Sequence, residues 1–109
     1  MNYVYSNEEL KNVIDCSSMT MVYFGSVVCG VCSALKPKIE EMLSMYPHIN
    51  AVQVDVDKSP DIAASNSIFT IPGIILFIEG REAIRQARFI SVPDLDEKIS
   101  RYYELFFEE

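Results

Sequence analysis

Val28-Cys29-Gly30-Val31-Cys32 places two thiols three positions apart. Before them runs Met19-Thr20-Met21-Val22-Tyr23-Phe24, a strand-like apolar stretch that ends at Gly25. After them come Leu35, Ile39, Met42, Leu43 and Tyr46, an apolar stripe at helical spacing. The pair therefore falls where a strand hands over to a helix. A helix N-terminus carries unpaired backbone N–H groups and a partial positive charge. A thiolate is stabilised there, so its pKa falls and it is the better nucleophile at neutral pH. The second thiol, one turn on, reaches back to close a disulfide, which is the chemistry of dithiol–disulfide exchange.

Working outward, the N-terminal side reads as an edge strand at Tyr3 to Tyr5 and then a helix. Ser6 and Glu9 have capping-box spacing, and Leu10, Val13 and Ile14 supply the buried face. Cys16 closes this helix as a small buried hydrophobe. On the other side, Pro37 lies inside the long helix and removes the hydrogen bond to the Ser33 carbonyl. That helix is expected to end near Tyr46-Pro47, with His48 facing solvent. Residues 51–57 alternate as a strand should, and Ser59-Pro60 opens a short helix to about Ser67. Gly73 to Ile78 is an apolar strand, Glu79-Gly80 a tight turn, and Arg81 to Phe89 its antiparallel return. Ser91-Val92-Pro93-Asp94 starts the last helix, whose buried stripe reads Leu95, Ile99, Tyr102 and Phe106 and whose end is the aromatic Tyr102-to-Glu109 run. The order β-α-β-α-β-α-β-β-α implies an α/β fold with a parallel core and antiparallel edges.

The chain has 109 residues, half of them hydrophobic, which suits a single domain over residues 1–109 that folds without a metal or disulfide staple. A net charge of −7 argues against a nucleic-acid partner and against an anionic membrane surface. No segment reads as a leader or as the ~18 apolar residues of a membrane helix. With only three cysteines and no disulfide framework, the expected compartment is cytoplasmic. Cys16, Cys29, Cys32 and His48 have the ligand types of a zinc site but not its paired spacing, so no metal is expected.

Ile71-Pro72-Gly73 is the second informative stretch. A CxxC closes a strand and opens a helix, Pro37 follows, a Val-Asp-Val-Asp strand comes next, and Ile-Pro precedes a strand, hairpin and helix. In this combination the chain resembles the thioredoxin family over nearly its whole length. The resemblance implies the thioredoxin fold, a central mixed sheet of about four to five strands flanked by about four helices. It implies that Cys29 attacks a substrate disulfide and Cys32 resolves the mixed disulfide. It makes Ile71–Pro72 a cis peptide beside the thiols, where the backbone pairs with the substrate chain. Val28, Gly30, Val31, Ile71, Pro72 and Phe89 are then the expected substrate-contact positions.

The supporting shell departs from the family pattern. The Trp before the first Cys is Val28, and the chain has no Trp. The Pro between the thiols is Val31. The buried Asp beneath the motif falls at Tyr23, its Lys neighbour at Gln53, and a glycine of the late loop near Phe89. Cys32 thus lacks an obvious base, because tyrosine ionises only near 10. The expected function is a thiol–disulfide oxidoreductase acting on protein disulfides, slow or narrow in substrate range. It needs no bound cofactor and takes electrons from a separate reductase or a low-molecular-weight thiol. The rival reading is a non-catalytic binding domain whose partner meets an apolar patch of Val27, Val28, Val31, Ile71, Ile74 and Phe89.

Overall fold

Ser6 caps the first helix through its Oγ, which accepts the Glu9 N–H at 3.1 Å. Glu9 reaches back one residue further than a standard box, accepting from the Tyr5 N–H at 2.8 Å. The computed structural model describes residues 1–107 and gives, in chain order, β1 Asn2–Tyr3, α1 Asn7–Asp15, β2 Met19–Gly25, α2 Gly30–Leu43, β3 Asn50–Asp55, α3 Pro60–Ser65, β4 Gly73–Ile78, β5 Arg81–Ala87 and α4 Val92–Phe107. The five strands form one sheet in the order β1-β3-β2-β4-β5. β1, β3 and β2 run parallel, while β4 pairs antiparallel with both β2 and β5. This is the mixed sheet with four helices that defines the thioredoxin fold.

Every residue of β2 is buried, because helices cover both faces of the central strand. Its side chains alternate between two cores. Met19, Met21 and Tyr23 face α2 and α4, meeting Ile39, Met42, Leu95 and Ile99. Val22 and Phe24 face α1 and α3, meeting Leu10 and Ile62. Each fully buried side chain of this size stabilises the fold by about 1.5–3 kcal/mol before entropy.

Several elements end earlier than their patterns suggest. α2 stops at Leu43 instead of Tyr46, with Ser44 as its cap. β3 stops at Asp55 because its side chain turns the backbone, accepting the Asp57 N–H at 2.9 Å. Ser59 precedes α3, with Pro60 in its first turn, but makes no side-chain cap. Cys16 is the C-cap of α1 and is exposed, not buried, because the helix ends at the protein surface. Phe106 is likewise exposed. Past Ile99 the α4 stripe keeps Tyr102 and continues through Tyr103 and Phe107, and the Phe107 ring stacks on exposed His48 at 5.0 Å. Continuation of α4 into Glu108 and Glu109 lies outside the described residues.

Candidate functional site

The thiol pair occupies the turn from β2 into α2. Ser26 builds this turn. Its carbonyl accepts the Cys29 N–H at 3.2 Å, its Oγ accepts the Val28 N–H at 3.3 Å, and its hydroxyl bonds the Asp57 carboxylate. The turn is thereby tied to the end of β3. Neither Ser26 nor Asp57 stood out in the sequence; the Asp-x-Asp that runs from the last residue of β3 into the turn is the signal that marks Asp57.

Cys29 is the N-cap of α2, with extended backbone, and its sulfur accepts the Cys32 N–H at 3.2 Å. One of the orphan donors at the helix start is therefore aimed at the sulfur, the arrangement that stabilises a thiolate. The two Cα atoms are 5.2 Å apart and the sulfurs are in disulfide contact. Access differs between them: Cys29 is half-buried, Cys32 only 3% exposed. Gly25 makes room for Cys32. A Cβ at position 25 would lie 3.5 Å from the Cys32 sulfur and 3.1 Å from the Tyr23 ring. Gly25 is thus a close-approach glycine that a sequence reads only as the end of a strand.

Beneath the helix start lies a cleft of about 100 Å³, lined among others by Tyr23, Gly25, Cys32, Lys36, Gln53 and Asp55. Tyr23 and Gln53 are register neighbours, as are Gly25 and Asp55. The Tyr23 hydroxyl donates to the Cys32 carbonyl at 2.8 Å, and burial pushes its pKa up to about 12. Tyr23 therefore holds the helix and stays protonated; it is no base at neutral pH. The Gln53 amide donates to the Met1 carbonyl at 2.5 Å, so it closes the sheet edge instead of serving the thiols.

Across from the thiols, the Ile71–Pro72 peptide bond is cis and Pro72 is buried. Gly73 pairs with Phe24, which brings this loop to the same end of β2 as the thiol turn. The Pro72 carbonyl accepts the Arg88 N–H at 2.8 Å, joining the loop that carries Phe89. The left-handed backbone of this late loop falls on Arg88, with φ of 71°, one residue before Phe89.

The apolar side chains around the motif divide sharply. Val28 is 85% exposed, Val31 63% and Phe89 83%, and Val27 is exposed with them. Gly30 has open space where a Cβ would stand. Ile71 is half-buried and packs on both cores. Ile74 is not part of the patch: its side chain faces α2 and α4 and is fully buried. Phe69, 81% exposed two residues before Ile71, is the aromatic that sequence reading passed over. Cys16 and His48 do not join the thiols, and no group of three candidate ligands forms among the described residues.

The thioredoxin family model matches residues 2–101. The thioredoxin-like protein YdfQ of Bacillus subtilis is 31% identical over 106 residues, covering 97% of this chain and 95% of its own. Thioredoxin of Chlamydia trachomatis is 32% identical, covering 94% and 99%. Among solved structures, thioredoxin of Fasciola hepatica superposes with a TM-score of 0.85 at 26% identity, over 93% of this chain and 98% of that one. The fold, the thiol turn and these relatives agree, and the chain belongs to the thioredoxin family.

Proposed function

We propose that this protein reduces or exchanges protein disulfides through Cys29 and Cys32. The kind of chemistry, thiol–disulfide oxidoreduction, follows from the family and from the two sulfurs at bonding distance. The roles rest on one observation above all. Cys29 is the accessible thiol at the helix start, with a backbone N–H aimed at its sulfur, while Cys32 is buried behind it. The Cys29 thiolate attacks one sulfur of a substrate disulfide; that S–S bond breaks, and one substrate thiolate leaves. Cys32 then attacks Cys29 in the mixed disulfide. The Cys29–Cys32 bond forms, the second substrate thiol departs, and the substrate has gained two electrons from the pair. A separate reductase or a low-molecular-weight thiol restores the dithiol, so no bound cofactor enters the cycle.

Val28, Gly30, Val31, Ile71, Pro72 and Phe89 form the substrate-contact surface in this reading. An apolar rim without the family's Trp supports a narrow substrate range and slow reduction of a generic disulfide such as insulin. Working conditions are cytoplasmic, supported by the sparing use of cysteine; no helix among the described residues is long and apolar enough to cross a membrane.

The test is a tagged Cys32→Ser protein incubated in cell extract and run on non-reducing gels. Serine cannot resolve, so adducts through Cys29 persist and reductant releases them. Both variants also carry Cys16→Ser, because Cys16 is an exposed third thiol; the thiol then left in Cys29→Ser is the buried Cys32, which traps little. The exposed Val28, Val31, Phe69 and Phe89 support a second reading, a binding domain that does not use its thiols. Identical partners with both variants, unaffected by reductant, decide for that reading.

A further inference from the structure

Resolution requires the buried Cys32 to lose its proton, and the family's carboxylate position beneath the motif holds Tyr23. The cleft contains another carboxylate. Asp55 is register partner to Gly25 on the parallel strands β2 and β3, so the two residues project to the same face of the sheet. A Cβ on Gly25 would touch the Cys32 sulfur at 3.5 Å, which places Asp55 one strand spacing, about 4.8 Å, to the side of that contact. Asp55 is 6% exposed, and it lines the same cleft as Cys32. Its Oδ1 is occupied by the Asp57 and Lys58 N–H groups at 2.9 and 3.4 Å. Its Oδ2 takes no hydrogen bond from the described residues and is left to the cleft.

We infer that Asp55 is the proton acceptor for Cys32, acting through water in the cleft; this rests on the proposed function. In the resolving step the Cys32 thiol proton passes by way of a water molecule to Asp55 Oδ2. The Cys32 thiolate attacks Cys29, the Cys29–substrate bond breaks, and the leaving substrate thiolate is protonated from solvent. Asp55 returns its proton through the open side of the cleft. A cleft of about 100 Å³ has room for bridging water, and Cys32, Asp55 and the Tyr23 hydroxyl supply polar partners.

Other titratable groups face the same space. Tyr3 comes from β1, Tyr23 from β2 and Lys36 from α2; Asp57 and Lys58, on the turn after β3, meet Asp55 through their backbone N–H groups. Tyr23 is held protonated by burial. The Lys36 Nζ lies 5.8 Å from the centre of the Tyr3 ring. Asp57 is engaged by Ser26. Among the described residues, Asp55 is the carboxylate with a free oxygen on the cleft.

The experiment follows the two thiols separately in a Cys16→Ser background, which removes the exposed third thiol. Reduced protein is mixed with dithionitrobenzoate, whose cleavage releases a coloured thiol. The first release is bimolecular and reports Cys29; the second is unimolecular and reports Cys32. Asp55→Asn keeps the Oδ1 acceptor and removes the base. Expected are an unchanged first phase and a second phase roughly a hundred-fold slower at neutral pH, the lower end for a general base. The deficit should shrink as pH rises and Cys32 ionises unaided, and Asp55→Glu should recover part of the rate. An unchanged second phase overturns the inference, and so does slowing by the same factor at every pH, which marks a structural role. Should Asp55→Asn unfold, the pH profile of Asp55→Glu decides: a displaced profile supports the relay and a superimposable one overturns it. A protein that completes both phases yet reduces no protein disulfide refutes the proposed function and leaves these rates to judge Asp55 alone.

Discussion

The two faces of the central sheet are built from the same strands and do different work. Toward α1 and α3, Val22, Phe24, Val52, Val54 and Ile75 meet Leu10 and Ile62 in a layer that is apolar apart from the buried Thr20 hydroxyl. Toward α2 and α4, the layer is apolar only over most of its length; at the thiol end it gives way to Tyr23, Gln53, Asp55 and Cys32. Alternation along one strand thus separates packing from chemistry by a single residue step. Phe24 and Tyr23 are neighbours in sequence, yet one anchors the fold and the other anchors the helix that carries the thiols.

This contrast can be broken most severely at Cys29. Serine is as good an N-cap as the cysteine it replaces, so Cys29→Ser should leave the melting temperature almost equal to that of the reduced wild type, in which the Cys29–Cys32 cross-link is open, while turnover falls to background. A large loss of stability, or retained turnover, contradicts the separation. Next comes Phe24→Ala on the apolar face, expected to cost about 3–5 kcal/mol in denaturant unfolding. Cys29 alkylation per folded molecule should stay within about twofold, since the change leaves the helix start in place.

A finer test is Tyr23→Phe. It leaves the buried Cys32 carbonyl without its hydroxyl donor, at a cost of about 1–2 kcal/mol. Here the resolving step should change as well, because the hydroxyl holds the first turn of α2. The smallest effect concerns alkali. Burial raises the pKa of Tyr23 and of Tyr46 from 10.0 to about 12; for Tyr46, its hydrogen bond to Asp96 adds to the effect. Folding favours the neutral phenols, so this contribution is complete below about pH 10 and is lost as pH rises through about 12. Ultraviolet tyrosinate titration should show two late-ionising phenols, and Tyr23→Phe should remove one. Uniform ionisation near the ordinary value would contradict the burial of both.

The order of elements was legible because β2 and β4 are nearly unbroken apolar runs and α4 carries a helical stripe, and the thiol turn because CxxC sits at a strand–helix junction. Element ends were less legible. They are decided by single contacts, such as the Asp55 side chain stopping β3 and Ser44 ending α2. The rim was half legible: Val28, Val31 and Phe89 are exposed, whereas Ile74 fell to the core because strand phase, not hydrophobicity, sets its direction. Gly25 and Asp55 were out of reach for a related reason. Their significance comes from strands β2 and β3 lying in register, a pairing between residues thirty positions apart. Cys16 misled because free cysteine is usually buried, and a helix end at the surface overrode that preference.

The sheet has two borders, and they bear on how the protein behaves at high concentration. A bare strand edge is a template on which other chains can stack. β1 offers only Asn2–Tyr3, too short to seed such growth. β5 is longer, but Arg81, Glu82 and Arg85 line it, and an irregularity opposite Leu76/Phe77 bends its pairing. One border is protected by brevity and the other by charge and curvature. Neutralising Arg81, Glu82 and Arg85 together would therefore be expected to shorten the time to visible aggregation under agitation, while the thiols kept their reactivity.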